Sequence, residues 1–516
     1  MVARQVPAAA HRPLARTGEG LDAPLGLSTL ALAGALGLAA LSGVVAGLAL
    51  PRGPVTTGQA LALLVGGLAV GGAAGALLRS RWALLLVPAL HLVAFELVRV
   101  GAVGPTVDLP RFDTAFGVLA FLLGRGVYAV LGLLPMVVGA WLGVTAVHSL
   151  AGAPVAWLPV GLGALAVAGL AAWLLVPAST PPVLGPDGLP LPGSVAELAT
   201  VRLGGHDQAI MVRGRSAENP VLLYLSGGPG QSDLPFSRVL LEDLTADFVV
   251  VSWDQRGTGR SYAALAPTDT LTLEGAIADT IELAERLRAR FGEEKVYLLG
   301  ESWGSTLAVL AAQRRPDLFH AVIGSGQMVS QSVTDRIVWR DLLAQAQATG
   351  DWALYDRVLT LGEPPYRDVP WSNAFVMTQY GRLYQPYTPP AAYVERGTAA
   401  RLGFYGVLGS EYALIDKVNV LRGLVDVFAV LYPQLQGIDF RRDVPRLEVP
   451  FYLLDGQAEL RGRRDLALEW FASLEAPVKR VFSFPDAGHA VAFEQFEALH
   501  RLLVGTVLPE TYPDRE

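Results

Sequence analysis

Apolar positions divide the chain into two regions of different character. Residues 26–177 form a succession of long apolar runs with few charges, whereas 195–516 alternate short apolar runs with mixed polar stretches. The runs at about 26–50, 58–78, 82–99, 127–147 and 155–176 approach or exceed the ~20 apolar residues that cross ~30 Å of hydrocarbon, so the pattern predicts about five membrane-spanning helices. Thr114–Val147 is longer still. As one straight helix it would measure ~51 Å at ~1.5 Å per residue, and an arginine at mid-bilayer depth costs ~2.5–3.5 kcal/mol. A break is therefore expected at Gly124-Arg125-Gly126, with 114–124 interfacial or re-entrant and 127–147 as the fourth span. The rival is a double crossing and six spans in all. Past residue 195 the short apolar runs Val221–Leu225, Phe248–Ser252, Val296–Leu299 and Arg480–Phe484 read as strands, separated by helix-like stretches such as Ser305–Arg314. That alternation predicts a mostly parallel sheet flanked by helices. The long stretch 331–444 is aromatic-rich, helical in pattern, and expected to cap the sheet.

Charge placement adds orientation. Arg4, Arg12 and Arg16 precede the first run, and Arg79 and Arg81 fall between the second and third, so the N-terminus is expected inside. Five crossings then put 195–516 outside. The first run is too long, and has too many successors, to be a cleaved secretory peptide, so an anchor integral to a cytoplasmic membrane is expected. The organisation predicted is a cytoplasmic tail 1–25, a membrane region 26–177, a Pro-rich spacer 178–194, a sheet domain 195–330 and 445–516, and a helical cap 331–444. Lysine occurs only at 295, 417 and 479, so arginine carries nearly all positive charge, a usage that suits a GC-rich bacterial genome. A net charge of −7 without a basic cluster excludes nucleic acid as a partner. The absence of cysteine excludes disulfides, thiolate metal sites and a Cys nucleophile. No cofactor or metal is expected; the partners expected are a peptide or small-molecule substrate and the lipid bilayer, with the oligomeric state left open.

The chemistry concentrates at GESWG, Gly300 to Gly304, which follows the strand-like run Val296–Leu299 and opens a helix-like one. In this context a GxSxG turn presents a serine at the top of an α/β-hydrolase sheet, so Ser302 is the expected nucleophile. Upstream, Val221–Leu225 runs into the glycine-rich turn Ser226–Gly230, which can aim backbone N–H groups at a developing oxyanion. A serine hydroxyl needs a base, and chain order in this architecture is Ser, acid, His. Of seven histidines, His11, His91, His148 and His206 precede Ser302, and His320 and His500 read as helix-end or helix-face residues. His489, on the loop SFPDAGHA after a strand, remains. For the acid, VPFYLLDGQAEL offers Asp455 at the strand end and Glu459 four residues on.

The set GGPG, DQRGTGRS and GESWGS, in this order, resembles the prolyl iminopeptidase branch of α/β-hydrolases, serine peptidases that remove an N-terminal residue. The resemblance covers roughly residues 195–510 and departs in two places, Ser226 where the family usually has His and Glu301 where it usually has Gly or His. It implies an α/β-hydrolase domain with a helical cap, which follows the membrane helices that the apolar pattern predicts. It implies Ser302, Glu459 and His489 as the catalytic set, with Glu459 at the family's aspartate position and Asp455 as the alternative acid. It also implies the N–H groups of Gly228 and Trp303 as the oxyanion hole, Gly228 being preferred to Gly227 on this ground alone. Selection of a free N-terminus needs a buried negative charge opposite the substrate ammonium, for which Glu411 and Glu395 in the cap are the candidates. The expected function is a membrane-anchored aminopeptidase for short peptides. The rivals are an esterase or amidase for small lipid-like or xenobiotic substrates, and a non-catalytic ligand-binding sensor.

Overall fold

The computed structural model describes residues 28–513 except 51, 53, 54 and 103. The N-terminal tail, with Arg4, Arg12 and Arg16, lies outside the described residues. The chain divides into two compact units, one of Met1–Pro51, Thr56–Ala102 and Val127–Trp173, the other of Arg52–Val55, Val103–Gly126 and Leu174–Glu516.

The first unit is built from apolar helices. Thr29–Ala49, Thr57–Leu78, Ala115–Leu150, which belongs to this unit from Val127 on, and Trp157–Leu174 are each long and apolar enough to cross a membrane. Leu41, Val65, Leu85 and Leu162 lie exposed on outward faces, a surface that suits contact with lipid. Small residues let the helices approach closely, as is usual where lipid removes the hydrophobic drive for helix pairing. A Cβ at Gly71 would lie 2.0 Å from the Met136 carbonyl oxygen, one at Gly75 2.3 Å from that of Ala140, and one at Gly143 2.1 Å from that of Gly72. Inside the bundle the His91 ring is held between the hydroxyls of Ser42 at 2.8 Å and Tyr128 at 2.7 Å.

Two expectations for this region change. The run 82–99 folds as a helix only over Ala83–Val98, 16 residues, which at ~1.5 Å per residue reaches ~24 Å, short of the hydrocarbon thickness. No break occurs at Gly124-Arg125-Gly126. Ala115–Leu150 is one helix of 36 residues whose turns widen to π-helix at Leu122–Gly126 and Ala129–Leu133. Arg125 does not need an interface, because its guanidinium reaches Asp108 at 3.1 Å, and Gly124 lets that carboxylate come close.

The second unit takes in residues 103–126 as well, which the apolar pattern groups with the membrane region. Its charges explain the difference. The Val107 N–H donates to Asp426 at 2.9 Å, Arg422 donates to the Leu123 carbonyl at 2.9 Å, and Arg111 pairs with Asp368 at 3.0 Å through Nη1 and stacks on Trp371.

The body of this unit is an eight-stranded sheet. The strands are β1 Val195–Leu203, β2 His206–Gly214, β3 Val221–Leu225, β4 Val249–Asp254, β5 Val296–Glu301, β6 Phe319–Ser325, β7 Phe451–Gly456 and β8 Lys479–Phe484, in the order β1-β2-β4-β3-β5-β6-β7-β8. β2 runs antiparallel to both its neighbours, β1 and β4, and the remaining pairs are parallel. β3 is buried throughout, as expected for a strand covered on both faces. Leu223, Leu298 and Leu307 belong to the core on one face; Tyr224, Tyr297, Leu299 and Phe493 belong to that on the other. His320, expected at a helix end, sits instead in β6 with its ring against Tyr297. The chain leaves β3 for β4 on one side and returns to β5 on the other, so the sheet has its switch point there. Ligands of open α/β sheets bind at the carboxyl ends of strands at such a point. Between β6 and β7 the chain forms the expected helical cap, including Gln331–Thr349, Trp371–Thr378, Ala391–Ala399 and Leu414–Leu431.

Candidate active site

Ser302 stands at the switch point, between the end of β5 and the helix Trp303–Arg314, with φ 53° and ψ −117°. Such a strained backbone persists only where its surroundings over-determine it, and the two motif glycines do so. A Cβ at Gly300 would lie 2.5 Å from the Gly304 carbonyl oxygen, and one at Gly304 2.0 Å from that of Leu225, so strand and helix approach closer than any side chain allows. The Ser302 N–H donates to the Ser325 carbonyl at 2.9 Å, which pins the turn to the end of β6.

His489 lies against the same place. A Cβ at Gly326 would be 2.8 Å from His489 Cε1, so Ser302 and the imidazole flank the Ser325-Gly326 turn from two sides. His489 Nδ1 bonds directly to Glu459 Oε2. Glu459 is fixed in turn by the Tyr384 hydroxyl at 2.7 Å, the Leu460 N–H at 2.6 Å and Arg463 at 3.6 Å, all at its other oxygen. Burial alone would raise its carboxyl, but His489, Arg463 and the hydrogen bonds outweigh that and hold it at about 2. Asp455 is engaged elsewhere. It forms a two-pronged pair with Arg464 at 2.7 and 3.0 Å and accepts from Ser483 at 2.8 Å.

The turn after β3 forms the opposite wall. A Cβ on Gly227 would come 3.3 Å from Ser302 Cβ, and Gly228 has φ 115°, a conformation that needs glycine. Ser226 is wired into the site by Gln255 of the DQRGTGRS segment. The Gln255 amide donates to the Ser226 carbonyl at 3.1 Å and hydroxyl at 3.2 Å, and its oxygen accepts from the Trp303 indole at 2.9 Å. One side chain therefore spaces the Gly228 turn from the first residue of the helix Trp303–Arg314. Elsewhere in that segment, burial pushes Asp254 up to about 7, and the carboxyl accepts from the Arg260 N–H and the Tyr412 hydroxyl.

Comparison with known proteins bears on the fold. The family model described as alpha/beta hydrolase fold matches residues 220–363. The probable aminopeptidase YbaC of Bacillus subtilis is 29% identical over 307 residues, which cover 60% of this chain and 95% of that protein. The matches support an α/β-hydrolase fold and a likeness to the proline iminopeptidase-like branch within it. A probable proline iminopeptidase of Streptomyces coelicolor is 31% identical over 120 residues, 23% of this chain, and the hydrolase spans only 36% of that relative's length. The solved proline iminopeptidase of Mycobacterium smegmatis superposes at a TM-score of 0.44 with 17% identity, over 61% of this chain and 98% of that one.

Of the cap glutamates, Glu411 is completely buried, with Oε1 ion-paired to Arg238 and Oε2 without a hydrogen-bond partner, and Glu395 is exposed on the helix Ala391–Ala399. Sequence reasoning also misses Tyr384, Arg463 and Gln255. Arg463 carries a local signal, four residues after Glu459, and Gln255 lies inside a quoted motif. Tyr384 has none, since it meets Glu459 across 75 residues of chain.

Proposed function

We propose that this chain is a membrane-anchored serine aminopeptidase that releases N-terminal residues from short peptides through an acyl-enzyme. The observation that carries the reading is the Glu459–His489 pair set against the Ser325-Gly326 turn that also holds Ser302. Ser302 Oγ attacks the acyl carbon while His489 Nε2 takes its proton. Glu459 accepts the Nδ1–H and stabilises the imidazolium. The N–H groups of Gly228 and Trp303 receive the oxyanion, each donor contributing about 3–4 kcal/mol. His489 returns the proton to the leaving amine, and a water, activated in the same way, hydrolyses the ester on Ser302. The probable aminopeptidase from Bacillus, matched along 95% of its length, supports a peptide over a simple ester as substrate.

The test is a comparison of alanine or proline arylamide, each free and N-acetylated, with a simple aryl ester. An aminopeptidase loses several kcal/mol of transition-state binding when the ammonium is acetylated, since its carboxylate partner is left unpaired. Equal rates on free and acetylated amides, or an ester far ahead of both, would favour the esterase.

For the membrane, the proposal is five crossings with the hydrolase domain outside. The short helix Ala83–Val98 is included because Arg81 and Trp82 before it and Arg99 after it suit the two interfaces, and a stretch a few ångströms short is accommodated by local thinning. Protease added to intact spheroplasts should digest the hydrolase domain while sparing an N-terminal tag. Protection of the domain until the membrane is permeabilised would mean an even number of crossings.

A further inference from the structure

The mechanism leaves unused a buried carboxylate directly beside the nucleophile. Glu301 ends β5, one residue before Ser302, and strand alternation sets its side chain on the face of Tyr297 and Leu299. It is 4% exposed, and neither of its carboxylate oxygens has a hydrogen-bond partner. The Ser325 hydroxyl, which accepts the Ala492 N–H at 3.0 Å, is free to donate toward it and offsets burial only in part.

Glu459, itself paired with His489, acts on the same charge, and so do two more buried carboxylates, Asp233 and Glu494. Asp233 is held by the Tyr224 hydroxyl at 2.9 Å and the Gln231 amide at 2.8 Å. Glu494 is held by the Gly488 N–H at 2.6 Å and the Tyr387 hydroxyl at 2.8 Å. Among the described residues no Arg, Lys or His forms an ion pair with Glu301, Asp233 or Glu494. Burial pushes all three carboxyls above the usual range, Glu301 well above it. Carboxylates taken out of water without a counter-ion are costly, and a small cation with several donors removes the cost. From the cap, Tyr393 packs against the core on this face, and the Tyr387 hydroxyl bonds Glu494 and accepts the Gly488 N–H.

Bond geometry says which cation. In a peptide the α-nitrogen lies only two bonds, ~2.5 Å, from the acyl carbon that Ser302 attacks, so an amine site must adjoin the nucleophile, whose chain neighbour is ~3.8 Å away between Cα atoms. Glu301 meets that condition, whereas Glu411 is far from Ser302 in the chain and already has Arg238 as counter-ion at Oε1. We infer that Glu301, backed by Asp233 and Glu494, forms the site that receives the free α-ammonium of the substrate. This rests on the aminopeptidase reading. On binding, Glu301 passes its proton to solvent and the ammonium takes its place as counter-charge.

The experiment uses the full-length protein in detergent and measures kcat and KM for alanine arylamide, its N-acetyl form and an aryl ester, with the rate of fluorophosphonate labelling as the check of an intact site. Glu301→Gln should raise KM for the free amide at least tenfold and bring the ratio of free to acetylated kcat/KM down toward one, with a far smaller change for the ester. Glu301→Asp should restore part of the ratio, and it carries the same comparison should the Gln variant fail to label. Alaninamide should inhibit the ester reaction of the wild type competitively and lose that effect in the variants. A wild-type ratio retained in both variants would overturn the inference and leave the aminopeptidase reading standing. A wild type indifferent to acetylation would overturn both.

Discussion

Ser302→Ala should lower turnover by about 10⁶-fold, the loss found when the nucleophile of an acid–base–serine set is removed. The expectation rests on the elbow having a single activated hydroxyl. Its folding contribution is small, because the hydrogen bonds of Ser302 run through its backbone, N–H to Ser325 and carbonyl to Ser305. The variant should therefore keep the thermal midpoint of the wild type while losing activity, and calorimetry beside an arylamide assay checks both. A residual rate within a hundredfold of wild type would remove Ser302 from the chemistry.

Glu459→Gln should lower kcat by about 10⁴-fold with KM little changed, as loss of the orienting carboxylate does when it frees the imidazole to take the wrong tautomer. The substitution keeps the shape that Tyr384 and the Leu460 N–H contact, so the loss is one of charge and tautomer. With its carboxyl at about 2, below its ordinary value, Glu459 contributes stability that is complete above about pH 4.5 and fades as the pH falls toward 2. The Gln variant should show a flatter stability profile across that window. Asp455→Asn should behave the other way. It breaks charged contacts to Arg464 and Ser483, so it should cost on the order of 1.5–3 kcal/mol of stability per lost bond and leave kcat within a few fold. Kinetics of the two variants side by side rank the acids, and a larger kcat loss for Asp455→Asn would transfer the orienting role to it.

Local motifs carry most of what the chain reveals about this site. The elbow is legible because Gly300 and Gly304 are demanded by contacts of 2.5 and 2.0 Å, a constraint that leaves its mark on the residues themselves. His489 is legible because chain order leaves few rivals, and the pattern Gly456-Gln457-Ala458-Glu459 points to the residue that the structure brings to His489. The apolar helices are legible from length and composition. Their packing is written in Gly67, Gly71 and Gly75, spaced by four and set against Gly132, Met136 and Ala140.

What stays hidden depends on partners far along the chain. Arg125 reads as a helix breaker until Asp108 is found beside it. Glu411 reads as a free anchor until Arg238, 173 residues away, is seen to hold it. Glu301 reads as a structural carboxylate, and only the missing counter-ion around it, with Asp233 and Glu494 drawn from distant segments, suggests a ligand. The allegiance of 103–126 to the hydrolase unit likewise follows from Asp426 and Arg422, more than 290 residues on in sequence.

The central claim is that Ser302 is the nucleophile that carries the acyl group. Titration of the purified full-length protein with a fluorophosphonate, followed by mass spectrometry of its peptides, tests it most directly. The account predicts one label per chain, on the peptide that contains Ser302, with activity lost in proportion to labelling and no label on Ser302→Ala. A label on another residue, or full activity in a fully labelled protein, would contradict it.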